Sequence, residues 1–159
     1  MASILQTIVN KNRVIFADRA DSWQEAIALG VRPLVQDGCV DETYADQIVR
    51  AVEKYGPYVV FDNGVAMPHT QDDAAGVREP GVAFLRLKEP VSFGCDEEGN
   101  EKTASLFFTL AASHPEEHLS TIRQLAGLFI NEELLEALKT ADTAEDILEA
   151  EAIHCFAGF

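Results

Sequence analysis

The sequence predicts an α/β fold, a sandwich in which helices pack on both sides of a central mixed β-sheet. Three observations predict it. Apolar residues recur at helical spacing early in the chain, at strand-like spacing in the middle, and at helical spacing again towards the end. Helices that flank strands in this order can bury their apolar faces against both faces of one sheet. The length of 159 residues suits one core, so we expect a single domain over residues 1–159.

The first part of the chain is predicted to be mainly helical. Ile4–Val9 fits a short helix and Val14–Phe16 a short strand. Ser22 followed by Glu25 matches a capping box, in which both side chains satisfy N–H groups at a helix start. Proline cannot donate the helical hydrogen bond, so we expect Pro33 to kink or divide the helix that follows.

A third helix and four strands are predicted next. Gly38 is expected to end the second helix, Asp41 to cap the third, and Gly56 to end it. The apolar spacing then changes to that of strands. The expected strands are Tyr58–Phe61, Val65–Met67, Val82–Leu87 and Thr103–Leu110, with a polar turn over residues 96–100 between the last two.

The last part of the chain is predicted to be helical again. Ser113 with Glu116 forms a second capping-box pattern, and an apolar stripe follows it. We expect this stripe to face the sheet: Leu119, Ile122, Leu125, Ala126 and Phe129. A short helix over Glu132–Leu138 and a final helix capped by Thr143 complete the fold.

Charge and hydropathy exclude several classes of partner. The chain carries 27 acidic and 12 basic residues, and its net charge of −15 repels nucleic acid and anionic lipid. No stretch approaches the roughly 18 apolar residues of a membrane span, and the first residues lack the pattern of a secretory signal. We expect no nucleic acid partner, no direct membrane insertion and a cytoplasmic location. Cys39, Cys95 and Cys155 are expected to be reduced thiols, with one disulfide as the alternative.

The candidate functional residue is His69, at the end of a short apolar segment. Pro68 has a fixed φ and restricts Met67 to extended geometry, so the backbone that enters His69 is stiff. Gly64 supplies the turn before this segment, where it can adopt a positive φ. A histidine held in this way suits nucleophilic catalysis, proton transfer or metal ligation. The alternative is a structural histidine whose ring binds a backbone carbonyl.

A second histidine, His118, is predicted in the first turn of the helix after Ser113. It shares an edge of the apolar stripe and can converge with His69. The N–H groups at a helix start favour a phosphoryl group or another anion there. The alternative is a half-buried histidine at the edge of the core. His114 is expected to be solvated, and His154 is assigned no role.

A metal site is the main competing interpretation of these histidines. Zinc needs a third protein ligand at a defined spacing. The sequence has no His-Glu-x-x-His pattern, no closely spaced cysteine pair and no His-x-His. It also lacks the Gly-x-Ser-x-Gly pattern of a serine nucleophile. We therefore expect no metal and no cofactor.

Several stretches carry a family pattern when they are taken together. They are Tyr55–Val60, Gly64–His69, Gly81–Phe84, Leu87–Phe93, and Ala111–Ala112 with His118. In this combination they resemble the EIIA component of the bacterial phosphoenolpyruvate-dependent sugar phosphotransferase system, of the mannitol/fructose type. The Tyr-Gly-Pro-Tyr and Ala-Met-Pro-His runs are most similar to the ascorbate-specific branch. The resemblance extends from about Ile4 to Leu148.

The resemblance implies a phosphoryl carrier. His69 would accept a phosphoryl group from HPr and pass it to a cysteine of EIIB, which works with the membrane permease EIIC, for L-ascorbate or a similar sugar. His118 matches the family's second active-centre histidine and would help to hold the phosphoryl group, with Thr70 as a further candidate donor. Mannitol-type relatives carry an arginine where this chain has Glu53, and Arg50 lies one helical turn earlier. The alternative is a regulatory module of the same fold, switched by phosphorylation of His69 without a transported sugar.

We expect HPr to dock beside His69. The apolar residues next to it in sequence, Val65, Ala66 and Met67, are the predicted contact patch. Acidic residues around that patch would attract a basic rim on HPr and raise the association rate. The acidic residues nearest in sequence are Asp72, Asp73 and Glu79.

Overall fold

Helices surround a four-stranded sheet in this fold. The computed structural model describes residues 3–61, 63–70, 76–111 and 115–155, except for the side chains of residues 115–118. In chain order the elements are α1 (Ile4–Asn10), β1 (Val14–Ala17), α2 (Trp23–Gln36), α3 (Tyr44–Tyr55), β2 (Val65–Ala66), β3 (Gly81–Cys95), β4 (Glu101–Ala111), α4 (Pro115–Phe129), α5 (Glu132–Lys139) and α6 (Ala144–Cys155). Among the helices so described, none has the length and apolar character that crossing a bilayer requires.

The sheet is mixed, as the sequence predicts. Its strand order is β1-β3-β4-β2. β1 runs parallel to β3, with Val14 opposite Phe84, and β3 runs antiparallel to β4, with Phe84 opposite Phe108. β2 runs parallel to β4, with Ala66 opposite Phe107. The long β3–β4 pair forms the middle of the sheet, and the two short strands lie at its edges.

Helices cover both faces of this sheet, which confirms the predicted sandwich. α2 and α3 pack on one face, and α1, α4, α5 and α6 on the other. Successive strand residues point to opposite faces, so neighbouring residues of β4 enter different cores. Phe107 joins the core under α2 and α3, whereas Leu106 and Phe108 join the opposite one.

Helix α2 begins near the predicted residue but passes through its proline unbroken. The Ser22 hydroxyl accepts the N–H of Glu25, while the Glu25 carboxylate accepts the N–H of Asp21, one residue before the capping-box position. Pro33 lies inside the helix and is buried, and its carbonyl accepts the N–H of Asp37. The prediction of a divided helix is therefore wrong. Apolar burial on both sides of Pro33 offsets the one hydrogen bond that proline cannot make.

The caps of the other helices follow the sequence with one shift. Asp41 accepts the N–H of Thr43, so its side chain fixes the turn before α3 rather than the helix start. Gly56 ends α3 at a φ of +86°. At the start of α6, the Thr143 hydroxyl accepts the N–H of Asp146, and the Asp146 carboxylate accepts the N–H of Thr143. This reciprocal pair confirms the predicted cap.

The predicted strand Tyr58–Phe61 is a turn. The N–H of Val60 binds the carbonyl of Pro57, which closes the chain into a turn. Strand-like pairing is limited to an isolated bridge between Val60 and Ala66. Tyr58–Phe61 has the apolar composition of a strand, but the fixed φ of Pro57 favours a turn at this point.

Strand β3 is longer than predicted. The predicted strand ends at Leu87, directly before Lys88, Glu89 and Pro90. The strand instead continues to Cys95, with a shift of register between Arg86 and Val91. A bulge of this kind accommodates a proline because the ladder hydrogen bond is already interrupted there.

Helix α2 approaches β4 so closely that Gly30 has no room for a side chain. A Cβ at Gly30 would lie 2.7 Å from Oγ1 of Thr109, which is fully buried. In α4, by contrast, a Cβ at the exposed Gly127 would meet nothing within 4 Å. The two glycines therefore offer a matched pair of substitutions.

We predict opposite effects for alanine at these two positions. Gly30→Ala should lower the free energy of unfolding by about 1–3 kcal/mol, because the buried Thr109 side chain or α2 must shift to make room for the Cβ. Gly127→Ala should raise it by up to about 1 kcal/mol, because alanine favours the helix. Urea unfolding followed by circular dichroism measures both changes. Equal effects of the two substitutions would contradict the close approach of α2 to β4.

Candidate functional site

His69 lies at the edge of the sheet where two parallel strands end. β2 ends at Ala66 and β4 at Ala111, and the carboxyl ends of parallel strands share one edge. Ligand sites of α/β proteins form preferentially at this edge. α4 begins at Pro115, shortly after β4 ends, and His118 lies in its first turn. The His118 side chain is outside the described residues, so its convergence with His69 stays a prediction.

The other predicted site residues divide into two groups. Glu79 is exposed before β3, and Arg50 and Glu53 are both exposed on α3. The remaining ones lie outside the described residues: Asp72, Asp73, Ser113 and His114.

The turn before His69 is attached to three elements. Gly64 has a φ of +82°, as the turn prediction expects, and its carbonyl accepts the N–H of Ser105 in β4. The Asn63 side chain donates to the carbonyl of Phe129 at the end of α4, over 2.8 Å. The Lys139 ammonium in α5 donates to the carbonyl of Asn63. The entry to the histidine segment is thus fixed to β4, α4 and α5.

The backbone around His69 is bound at successive residues. The N–H of Met67 donates to the carbonyl of Val59, and the carbonyl of Pro68 accepts the N–H of Leu110, at 2.8 and 2.9 Å. The carbonyl of His69 accepts the hydroxyl of Tyr58. Pro68 is buried and has no N–H that would need a partner. The stiffness that the sequence predicts from proline is therefore reinforced by hydrogen bonds from both sides.

The imidazole of His69 makes a hydrogen bond that determines its tautomer. Its Nδ1 lies 2.6 Å from the carbonyl oxygen of Met67. A carbonyl oxygen can only accept a hydrogen bond, so the proton belongs on Nδ1. In the neutral ring the lone pair then lies on Nε2. The ring is half-buried, and Nε2 is its nucleophilic and basic nitrogen.

Two tyrosines support this segment. The ring of Tyr58 packs against the imidazole of His69 at a centroid distance of 5.2 Å and an interplanar angle of 89°. Tyr44 in α3 is buried in the core, and its hydroxyl donates to the carbonyl of Leu110 in β4. Burial raises the pKa of Tyr44 and the nearby Tyr58 raises it further, while hydrogen bonds from Thr70 partly offset the rise. Tyr44 therefore stays protonated and acts as a permanent donor at neutral pH.

The predicted contact patch is wrong for Val65 and Ala66, whereas Met67 lies at the edge of an apolar surface. Val65 and Ala66 are fully buried and Met67 is 7% exposed, because Val65 and Met67 face one core of the sandwich and Ala66 faces the other. The apolar surface beside the site belongs to α4 and the turn before β2. It forms a groove of about 500 Å³, which we call the α4 groove: Phe61, Asn63, Met67, Ile122, Ala126, Phe129 and Ile130.

The predicted buried stripe of α4 is correct in part. Leu125 is fully buried, but Leu119 is 57% exposed and Ala126 is exposed as well. α4 packs against α1 and α5. One side of its apolar stripe therefore remains at the surface, where it forms a wall of the α4 groove.

The two tyrosine contacts with the site are absent from the sequence prediction. Tyr58 is part of a predicted strand there, and Tyr44 falls in the predicted third helix with no role assigned to it. A signal for Tyr58 exists, because it belongs to the Tyr-Gly-Pro-Tyr run that carries the resemblance. The contact of Tyr44 with Thr70 joins residues distant in sequence and leaves no local pattern.

The chemistry available at the site centres on Nε2 of His69. A neutral imidazole with its lone pair in a fixed direction can attack an electrophile or accept a proton. In the part of the chain that the structure describes, no three His, Cys, Asp or Glu side chains gather as a metal-binding group. His154 forms a contact of 3.6 Å between its Nδ1 and the Glu133 carboxylate, at the end of α6.

Comparison with known proteins identifies a family. The family model for the phosphoenolpyruvate-dependent sugar phosphotransferase system, EIIA 2, matches residues 7–151. Among curated relatives, the ascorbate-specific PTS system EIIA component of Escherichia coli strain K12 is 34% identical over 131 residues, which cover 82% of each chain.

Solved structures of related chains share the fold. A PTS IIA domain from Streptococcus pyogenes M1 GAS superposes with a TM-score of 0.81 at 32% identity, over 100% of both chains. The mannitol enzyme IIA of Escherichia coli, in complex with phosphorylated mannitol enzyme IIB, gives a TM-score of 0.73 at 27% identity. That match covers 88% of this chain and 94% of the mannitol enzyme IIA.

Proposed function

The chain belongs to the EIIA 2 family of the phosphoenolpyruvate-dependent sugar phosphotransferase system, and we propose that it carries a phosphoryl group on Nε2 of His69. The donor is HPr and the acceptor is a cysteine of EIIB. The observation that carries this proposal is the 2.6 Å hydrogen bond from Nδ1 of His69 to the carbonyl of Met67. It leaves Nε2 as the nucleophile of the ring.

The transfer consists of two displacements at phosphorus. In the first, the Nε2 lone pair attacks the phosphorus of the donor's phosphohistidine. The donor's N–P bond breaks, and its electron pair returns to the donor's ring nitrogen. In the second, a cysteine thiolate of EIIB attacks the phosphorus, and the pair of the Nε2–P bond returns to Nε2. Nδ1 keeps its proton throughout, so the Met67 carbonyl stabilises the positive charge that develops on the ring.

The phosphoryl oxygens need donors near Nε2. We assign this role to His118 in the first turn of α4, together with the N–H groups at the start of that helix. Thr70, next to His69, is a further donor. Glu53 and Arg50 are exposed on α3, and we give neither of them a role in holding the phosphoryl group. Positioning and charge stabilisation supply most of the catalysis in phosphoryl transfer.

HPr and EIIB dock in turn on the α4 groove. The groove includes Met67, whose carbonyl binds the His69 imidazole, so a partner seated there lies beside the reactive ring. Ile130, at the rim of the groove, is 82% exposed, which suits an apolar residue that a partner covers. The complex of the related mannitol enzyme IIA with its phosphorylated enzyme IIB supports a protein acceptor of this kind.

The remaining assignments rest on the relatives and on composition. The EIIA relative at 34% identity is named as ascorbate-specific, which supports L-ascorbate or a similar sugar as the transported substrate, through the permease EIIC. We place the carrier in the cytoplasm. The free thiols of Cys39, Cys95 and Cys155 agree with that location.

One test of this function concerns the two histidines. With labelled phosphoenolpyruvate, enzyme I and HPr, His69→Ala should incorporate no acid-labile phosphate, because the nucleophile is lost. His118→Ala should still be labelled but should transfer to EIIB about 10- to 1000-fold more slowly, through loss of one transition-state donor. Rapid-quench labelling with peptide mapping measures both.

Three outcomes separate the alternatives. Label that persists in His69→Ala contradicts the assignment of the carrier residue. Unchanged transfer by His118→Ala favours the alternative that His118 is a half-buried histidine at the edge of the core. Label that stays on His69 of the unmodified protein when EIIB is added favours the regulatory module.

A second test concerns docking. Ile130→Glu should raise the KM for phosphorylated HPr by about tenfold, because a docked partner would bury the carboxylate without a partner charge. Ile153→Glu, at an isoleucine that is 52% exposed on α6, is the matched control and should leave the KM unchanged. Neither substitution should alter the free energy of unfolding by more than about 0.5 kcal/mol. An equal KM for both variants would contradict docking in the α4 groove.

A further inference from the structure

We propose that Tyr58 is a positioning residue for phosphoryl transfer through His69. Its hydroxyl holds the backbone of His69 and its ring restrains the imidazole, so that Nε2 is presented in one direction. This inference rests on the proposed function. It adds a residue that touches the histidine itself but has no part in binding the phosphoryl group or the partner.

The hydroxyl contact fixes the backbone of His69. The Tyr58 hydroxyl donates to the carbonyl of His69. The residue after Tyr58 is bound as well, because the carbonyl of Val59 accepts the N–H of Met67 over 2.8 Å. The two attachments lie on either side of the peptide groups that carry the imidazole. They fix the position of the Tyr58 turn relative to the backbone of residues 67–69.

The ring contact restrains the side chain. The imidazole has two rotatable torsions, and its Nδ1–H bond to the Met67 carbonyl defines one orientation of the ring. The Tyr58 ring stands perpendicular to the imidazole at 5.2 Å between centroids. Rotation of the imidazole away from Met67 would lose both the hydrogen bond and this perpendicular packing. The perpendicular arrangement is a favourable geometry for two aromatic rings.

Tyr58 is itself well anchored. It follows Gly56 and Pro57 directly after α3, and its N–H donates to the carbonyl of Gly56 over 2.8 Å. Its ring also packs edge-on against Tyr55, with centroids 6.3 Å apart. Because Tyr58 is fixed to the end of α3, it can restrain the His69 imidazole.

The position of Tyr58 separates its effect from partner docking. Tyr58 lines a different surface cleft, together with Lys54, Tyr55 and Lys102, between the end of α3 and the β3–β4 turn. The α4 groove is formed by other residues. A change at Tyr58 should therefore alter the rate of the chemical step and leave the affinity for the partner unchanged.

Tyr58→Phe tests the hydroxyl while keeping the ring, and Tyr55→Phe is the matched control. Tyr55 is 45% exposed, and its ring touches that of Tyr58. In single-turnover phosphorylation by phosphorylated HPr, Tyr58→Phe should lower the maximal rate by about tenfold, because the near-attack geometry is held less tightly. The KM for HPr should change less than twofold. Tyr55→Phe should match the unmodified protein in both constants.

A spectroscopic readout distinguishes positioning from general loosening of the fold. In ¹⁵N-labelled protein, the chemical shifts of the two His69 ring nitrogens should move towards each other in Tyr58→Phe, because the Nδ1–H tautomer loses its dominance. Tyr55→Phe should leave both chemical shifts unchanged. Urea unfolding of both variants measures the structural effect separately. Tyr58→Leu, which removes the ring, should move the two chemical shifts further towards each other.

Each result decides one question. If Tyr58→Phe leaves the maximal rate and the ¹⁵N chemical shifts of the His69 ring unchanged, Tyr58 has no positioning role. Phosphorylation of the unmodified protein would still support the carrier function in that case. A rise in KM alone also overturns the positioning role, because it assigns Tyr58 to docking. If the unmodified protein accepts no phosphate, the proposed function fails, and the ring-nitrogen shifts in Tyr58→Phe still decide whether Tyr58 positions His69.

Discussion

The site depends on one hydrogen bond, from Nδ1 of His69 to the carbonyl of Met67. It places the ring proton on one nitrogen and the nucleophilic lone pair on the other. The bond is specific only because the carbonyl itself is fixed: the N–H of Met67 is tied to Val59, and the next carbonyl, that of Pro68, is tied to Leu110. The parallel pairing of β2 with β4 is what brings these residues together at one sheet edge.

The architecture gives separate tasks to separate elements. The sheet edge and the two tyrosines hold the imidazole. In the proposed function, the start of α4 offers N–H groups to the phosphoryl group and the far half of α4 offers an apolar groove to a partner. The proposed carrier, which meets two proteins in turn, benefits from this separation. The chemical site can stay rigid while the docking surface tolerates different partners.

Much of this was predictable from the sequence, for physical reasons that differ between elements. The long helices and the β3–β4 pair follow from apolar periodicity, and the stiff backbone at His69 follows from Pro68. Local patterns failed where tertiary contacts decide the outcome. Burial carries α2 through Pro33. At Tyr58 two local signals compete instead: the apolar composition predicts a strand, and Pro57 favours the turn that forms. The hydrogen bond from Tyr58 to His69 depends on that unpredicted turn. The sequence therefore predicts His69 as the functional residue but does not predict its contact with Tyr58.

The tautomer of His69 is the direct test of phosphoryl transfer through Nε2. Nitrogen-15 NMR of the histidine rings, near neutral pH and before phosphorylation, distinguishes a protonated from an unprotonated ring nitrogen. We expect a protonated Nδ1 and an unprotonated Nε2, followed after phosphorylation by an N–P bond at Nε2 with Nδ1 still protonated. A protonated Nε2 in the free protein, or phosphate on Nδ1, would contradict this expectation.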